Sequence, residues 1–370
     1  MIKVLQVGST NVLGGIENYL HNYYVNINKK DVQFDFVNMY DKICFQDEYI
    51  KCGSKVFELI NYRKHPLRYI KQLKKILKDE NYDILHFNMN SAVFLYPLIA
   101  AKIAKTPIII AHSHNASSDK GFIKQLLHNI FKRLIPVFAN TYFSCSDYAA
   151  KWFFSKNIRK NKNFFIINNG VDTKKFIYND SIRKKIRSKL KLSDNDIVIG
   201  HVGRFIKQKN QDFIIEILNE CYKKENNQNY KLILIGKGEL ENRIKNEVKE
   251  FALENNVYFL GQLNDVNNYY QAFDIFVLPS LYEGLPLVGI EAQISGCYCI
   301  FSDKITRMLK ISDNCEFVTI EDPNKWADLV TDNKLMKKIR MSPLNHKDYD
   351  IKNNANKLIE IYTRLLNEIM

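Results

Sequence analysis

One pattern limits what this chain can fold into. Short runs rich in β-branched and aromatic residues (KVLQVGS, QFDFVNMY, SKVFELI, DILHFN, PIIIAHSH, TYFSCS) alternate with helical patterns such as GIENYLHNYYVNI, PLRYIKQLKKILKDE and SAVFLYPLIAAKIA. Such βα alternation predicts an α/β fold, a parallel sheet covered by helices on both sides. A second series begins at DIVIGHVGR and runs through DFIIEILNECYKK, YKLILIG, LENRIKNEVKEFA, VYFLG, DIFVLPS and YCIFSD. Between the two, from Asn168 to Asp196, apolar density falls and Lys and Arg rise. At 370 residues the chain suits two domains. The reading is two doubly wound Rossmann-like domains, residues 1–172 and 173–345. Open sheets of this kind bind ligands beyond the carboxyl ends of their strands, so two such domains facing across a cleft place one ligand between them.

The residues just after strands then matter most. YEGLPLVGIE (282–291) sets Glu283 before a helix whose first turn suits Pro286, with Leu287, Val288, Ile290, Ala292 and Ile294 as its buried face and Glu291 about two turns inside. Unpaired amides at a helix start favour phosphate, and flanking carboxylates accept hydrogen bonds from hydroxyls. Phosphate plus polyol points to a nucleotide sugar. The bland alternative is that Glu283 caps the helix and Glu291 is solvated.

GSTNVLGGIE (8–17) ends a strand and opens a helix at Gly14 and Gly15, allowing close approach to the backbone, but it does not match GxGxxG and gives a dinucleotide site poor support. VGRFIKQKN (202–210) offers Arg204 as a bidentate fork and Lys209 as a point charge for a diphosphate, against the alternative of ordinary surface charge. GKGE, with Gly236 and Lys237, follows the next strand. IIIAHSHNAS carries His112 and His114 at i and i+2, on the same side of a strand and both available to the cleft. No third ligand in that segment supports a metal, and the CxC of Cys297 and Cys299 supplies too few ligands.

Net charge of +14 calls for an anionic partner: phosphorylated substrate, anionic lipid or nucleic acid. Without an RNA-binding signature, nucleic acid ranks last. FIKQLLHNIFKRLIPVFAN (122–140), with Lys124, Lys132 and Arg133 among its apolar residues, reads either as a helix lying on an anionic membrane or as one packed on the sheet. The seven cysteines form no CxxC pair and read as reduced thiols. No uncharged stretch reaches the length of a membrane span, and the N-terminus has no apolar signal region, so a cytoplasmic protein is expected.

GGIE, a strand-end His, GR followed five residues on by Lys, GKGE, and Glu followed eight residues on by Glu occur in the order and spacing of retaining glycosyltransferase family 4, of GT-B architecture. The chain resembles that family along nearly its whole length, most of all members that build bacterial capsule or exopolysaccharide. The resemblance implies transfer of a hexose or N-acetylhexosamine from a UDP-sugar to a lipid-diphosphate-linked saccharide, at the inner face of the cell membrane and alongside other polysaccharide-assembly enzymes. By it, Glu283 holds donor-sugar hydroxyls, Glu291 the ribose, and the backbone of Gly284, Leu285, Pro286, Leu287 and Val288 the sugar and diphosphate. Arg204 and Lys209 neutralise the leaving diphosphate. One of His112 and His114 meets the donor sugar. No metal or other cofactor is expected, and residues 346–370 cross back to the first domain. Two other readings stay open: a nucleotide-sugar epimerase of the same architecture, and a sugar-nucleotide binding subunit without activity.

Overall fold

The computed structural model describes residues 1–115, 121–224, 230–332 and 347–369. The chain divides into two compact units, residues 1–170 with 348–370, and residues 171–347. The expected boundary at 345/346 lies outside the described residues.

The first unit is built on seven parallel strands: β1 (Ile2–Val7), β2 (Val32–Asn38), β3 (Val56–Glu58), β4 (Ile84–Met89), β5 (Ile108–Ser113), β6 (Thr141–Ser144) and β7 (Phe164–Ile166). Their order in the sheet is β3-β2-β1-β4-β5-β6-β7. Neighbouring residues of one strand enter opposite cores, which is why runs such as Ile108–Ala111 of β5 are apolar without alternation. Leu5 and Val7 pack with Tyr69, Leu73 and Leu77 of the helix Pro66–Asp79. Val4 packs on the other face with Tyr19 and Tyr23 of the helix Gly15–Asn26. That second core also takes Ile351, Ala355, Leu358, Ile361, Tyr362 and Leu365 from the last helix, Ile351–Asn367, whose start is capped by Asp350 accepting from the amides of Lys352 and Asn353.

The second unit has six parallel strands: β8 (Ile197–Val202), β9 (Tyr230–Ile235), β10 (Val257–Phe259), β11 (Ile275–Leu278), β12 (Tyr298–Ser302) and β13 (Cys315–Val318), in the order β10-β9-β8-β11-β12-β13. Buried Asp274, just ahead of β11, accepts from Arg183, Arg187 and the Val198 amide, tying the helix Asp180–Lys189 to two strands. In both sheets the strand order reverses once, between β1 and β4 and between β8 and β11. The crevices at these switch points are where such sheets bind ligands.

Three elements differ from the sequence reading. SAVFLYPLIAAKIA is helical only from Tyr96, because Pro97 is suited to a first turn and not to a helix interior. The edge strands β7 and β13 add to the runs singled out above, each a short, mostly apolar stretch among Asn, Lys and Asp residues. The segment 122–140 breaks into the helix Gly121–Phe131, a 3₁₀ turn at Lys132–Leu134 and a last turn Ile135–Phe138, with Pro136 at the start of that turn. No helix among the described residues is long and apolar enough to cross a membrane.

Candidate active site

In the second unit, the chain leaving β8 at Gly203 and Arg204 is laced to the one leaving β9. The Gly203 amide donates to the Ile235 carbonyl and the Phe205 amide to that of Lys237. The lacing requires glycine at 236: its φ is +140°, and a Cβ there would lie 2.0 Å from the Gly203 carbonyl oxygen. Arg204 and Lys237 emerge from this turn exposed, without an ion pair among the described residues. Lys209 turns the other way. Its Nζ lies 2.5 Å from Glu283 Oε1 in a nearly enclosed pair, the two side chains 14% and 10% exposed. Gln208 Nε2 donates to the Tyr282 carbonyl at 2.8 Å and to Glu283 Oε2 at 3.3 Å. The post-β8 and post-β11 loops are thus fastened across the switch point, and Lys209 is not the free cation of the sequence reading: a carboxylate already shares its charge.

The helix after Glu283 runs from Leu287 to Ile294, with Pro286 as its N-cap and no capping side chain. Its first turn presents backbone amides and the positive end of the helix dipole. Pro286 therefore precedes the helix, and Glu291 lies little more than one turn inside it, not two. Glu291 Oε2 accepts from the Tyr270 hydroxyl at 2.9 Å. Burial raises its carboxyl from the ordinary range to about 7, the Tyr270 hydrogen bond acting the other way. The residue keeps some accessible surface.

In the first unit, Gly14 is the extended N-cap and Gly15 the exposed first residue of their helix. Buried Glu17 accepts from the amide and hydroxyl of Thr10, which folds the post-β1 loop back on the helix. At the switch point Gly8, with φ +117°, passes so near β4 that a Cβ would lie 2.2 Å from the Asn88 carbonyl oxygen.

The two histidines part company here. His112 is fully buried, its Nδ1 2.9 Å from His86 Nε2, and His86 Nδ1 is 2.7 Å from the Tyr362 hydroxyl. It belongs to the interior of the sheet and does not line an opening, because β4 brings His86 against it. His114, one residue past β5, keeps partial exposure, and its Nε2 lies 2.9 Å from Asn88 Oδ1. Asn88 Nδ2 meets the Val7 carbonyl, which can only accept. The amide oxygen must therefore face His114, whose Nε2 carries the proton. Burial pushes His114 down to about 3 and lowers His86 and His112 too. All three imidazoles are neutral near pH 7.

Sequence reasoning missed Gln208, Tyr270, Asn88 and His86. Each bonds to a singled-out residue from a distant segment, and none carries a local signal.

Two doubly wound units, with an uncapped helix start between two carboxylates and cations on the adjoining loops, define a glycosyltransferase of the GT-B class. Two family models divide the chain: residues 13–175 match Glycosyltransferase Family 4 and residues 182–357 match Glycosyl transferases group 1. The chain belongs to this family of glycosyltransferases. It is 29% identical to EpsF of Bacillus subtilis over 97% of this chain and 96% of that protein. It is 33% identical to the UDP-Gal:alpha-D-GlcNAc-diphosphoundecaprenol alpha-1,3-galactosyltransferase of Escherichia coli, over 62% of this chain and 60% of the relative. Among solved structures, Anabaena HepE in complex with UDP and glucose superposes with a TM-score of 0.81 at 19% identity, covering 98% of this chain and all of HepE.

Proposed function

We propose that the chain transfers a hexose or N-acetylhexosamine, with retention of configuration, from a UDP-sugar to a lipid-diphosphate-linked saccharide in surface polysaccharide synthesis. The observation that carries this reading is the uncapped start of the helix Leu287–Ile294 between Glu283, held by Lys209 and Gln208, and Glu291, held by Tyr270. Here Glu283 accepts from donor-sugar hydroxyls, Glu291 accepts from the ribose, and the backbone from Gly284 to Val288 takes the diphosphate. The UDP and glucose bound to HepE and the lipid-linked acceptor in the E. coli relative's name favour the same substrates.

In the reaction the acceptor oxygen forms a bond to the anomeric carbon on the face the diphosphate leaves. The bond from that carbon to the β-phosphate oxygen breaks, and the acceptor proton passes to the departing oxygen. Arg204 and Lys209 take up the charge that develops there, so no metal is required. Gly14 and Gly15 admit the substrates close to the backbone, and His114 meets the donor sugar as a neutral hydrogen-bonding group.

The acceptor's lipid places the enzyme on a membrane surface. Along the segment from Gly121 to Phe138, Ile123, Leu126, Ile130, Leu134 and Val137 are all exposed at spacings of three or four residues, with exposed Lys124 and Arg133 beside them. Apolar residues framed by cations suit an anionic lipid surface. Lys132 is excluded from that role because its Nζ donates to the Trp152 carbonyl. The side chain of Phe122 lies outside the described residues. Flotation with anionic liposomes tests this, and Leu126→Asp with Ile130→Asp should abolish it.

A panel of UDP-, GDP- and ADP-sugars, with and without EDTA, assayed for release of nucleoside diphosphate, tests the main proposal. EDTA-insensitive release of UDP from one donor supports it. Isomerised sugar released without an acceptor would replace it with epimerisation, and an absence of nucleotide binding would overturn it.

A further inference from the structure

Tyr270 comes from the short helix Val266–Tyr270 and is completely buried. Its ring is wedged by Phe176, Phe273 and Phe276, at centroid distances of 5.7, 5.6 and 5.8 Å. So confined, the hydroxyl points at one place, where it has two acceptors: Glu291 Oε2 at 2.9 Å and the Val288 carbonyl at 3.2 Å. One hydroxyl has one proton to give, and the carboxylate is the stronger acceptor. A glutamate on a helix otherwise turns freely about its last torsions. Here one oxygen is fixed, and Oε1 has no protein partner among the described residues.

We propose that Tyr270 is a positioning residue for nucleotide recognition: by holding Glu291 Oε2 it aims Oε1 at the ribose diol, so that preference for a ribose over a deoxygenated sugar depends on a hydroxyl that never touches the ligand. This rests on the reading of Glu291 as the ribose acceptor and adds to it what makes that acceptor selective. A loose glutamate would lose torsional freedom on binding, which weakens each hydrogen bond it makes.

The test compares UDP with 2′,3′-dideoxy-UDP by calorimetric titration. Wild type should prefer UDP about tenfold, the scale of one hydrogen bond to a charged group. Tyr270→Phe keeps the ring and its packing, so it should bind dideoxy-UDP as wild type does while its preference falls to about twofold or less. Phe176→Leu loosens the wedge around the ring while leaving Glu291 and the hydroxyl in the protein, and should lower the preference as well, which covers the case of an unstable Tyr270→Phe. Wild type without a preference would sink the reading of Glu291 itself. A wild-type preference that Tyr270→Phe or Phe176→Leu retains, or an equal weakening of both ligands, would overturn the role of Tyr270 alone.

Discussion

Removing Lys209 should expose how strongly its pairing with Glu283 is built into the second unit. At the observed 2.5 Å separation, two unit charges in an effective dielectric of about 20 attract by about 6–7 kcal/mol. Most of that is returned as the cost of taking both groups out of water, and Gln208 at 3.3 Å compensates Glu283 only in part. A double-mutant cycle of Lys209→Met and Glu283→Gln should therefore give a coupling of about 2–3 kcal/mol. The chain has two tryptophans: Trp152 in the first unit, and Trp326, fully buried in the core of the second. In a Trp152→Phe background, urea unfolding followed by tryptophan fluorescence reads the second unit alone. Lys209→Met should also lower kcat by about 10²–10³, as expected for losing one charge-stabilising group at a departing anion. A coupling under about 0.5 kcal/mol would refute the reasoning, since it would make the pair a surface contact that burial does not strengthen.

Three further outcomes are expected. Asp274→Asn leaves Arg183 and Arg187 without their counter-charge inside the protein and should cost the second unit about 3–5 kcal/mol in the same fluorescence assay. Gly236→Ala forces a Cβ against the Gly203 carbonyl at a φ of +140°, so UDP binding should weaken and the unit should lose about 2 kcal/mol or more. Because Glu291 is raised to about 7 and ribose hydroxyls donate to its ionised form, affinity for the UDP-sugar donor should rise about tenfold from pH 6 to pH 8 and be flat in Glu291→Gln. The same raised carboxyl stabilises the fold at low pH, a contribution fully present below the ordinary 4.5 and lost as pH rises through about 7.

The architecture was legible because its signals are local. Apolar runs without alternation, such as Ile108–Ala111 and Ile275–Leu278, announce burial on two faces, and YEGLPLVGIE holds its carboxylates and helix start within ten residues. What surrounds those residues was not legible, because it comes from remote sequence: Lys209 and Glu283 are 74 positions apart, Asn88 and His114 are 26, and Tyr270 and Glu291 are 21. Period-two alternation put His112 and His114 on one side of their strand, and their rings do lie 4.0 Å apart. Which of them is interior depends on the partner strand, and strand pairing leaves no trace in β5 itself. Pro286 misled by a single position: it stands at the N-cap, one residue ahead of the first helical position that its fixed φ favours.

The last helix carries a consequence for how the protein is made. Ile351, Ala355, Leu358, Ile361, Tyr362 and Leu365 complete a core begun by Val4, Ile16 and Tyr19, so the unit translated first is finished last. All of residues 171–347 leave the ribosome in between and can fold as a unit, while the sheet of β1 to β7 waits with one apolar face only partly covered by the helix Gly15–Asn26. Loss of the final twenty residues in a nascent or clipped chain would unmake the beginning of the protein and leave its middle standing.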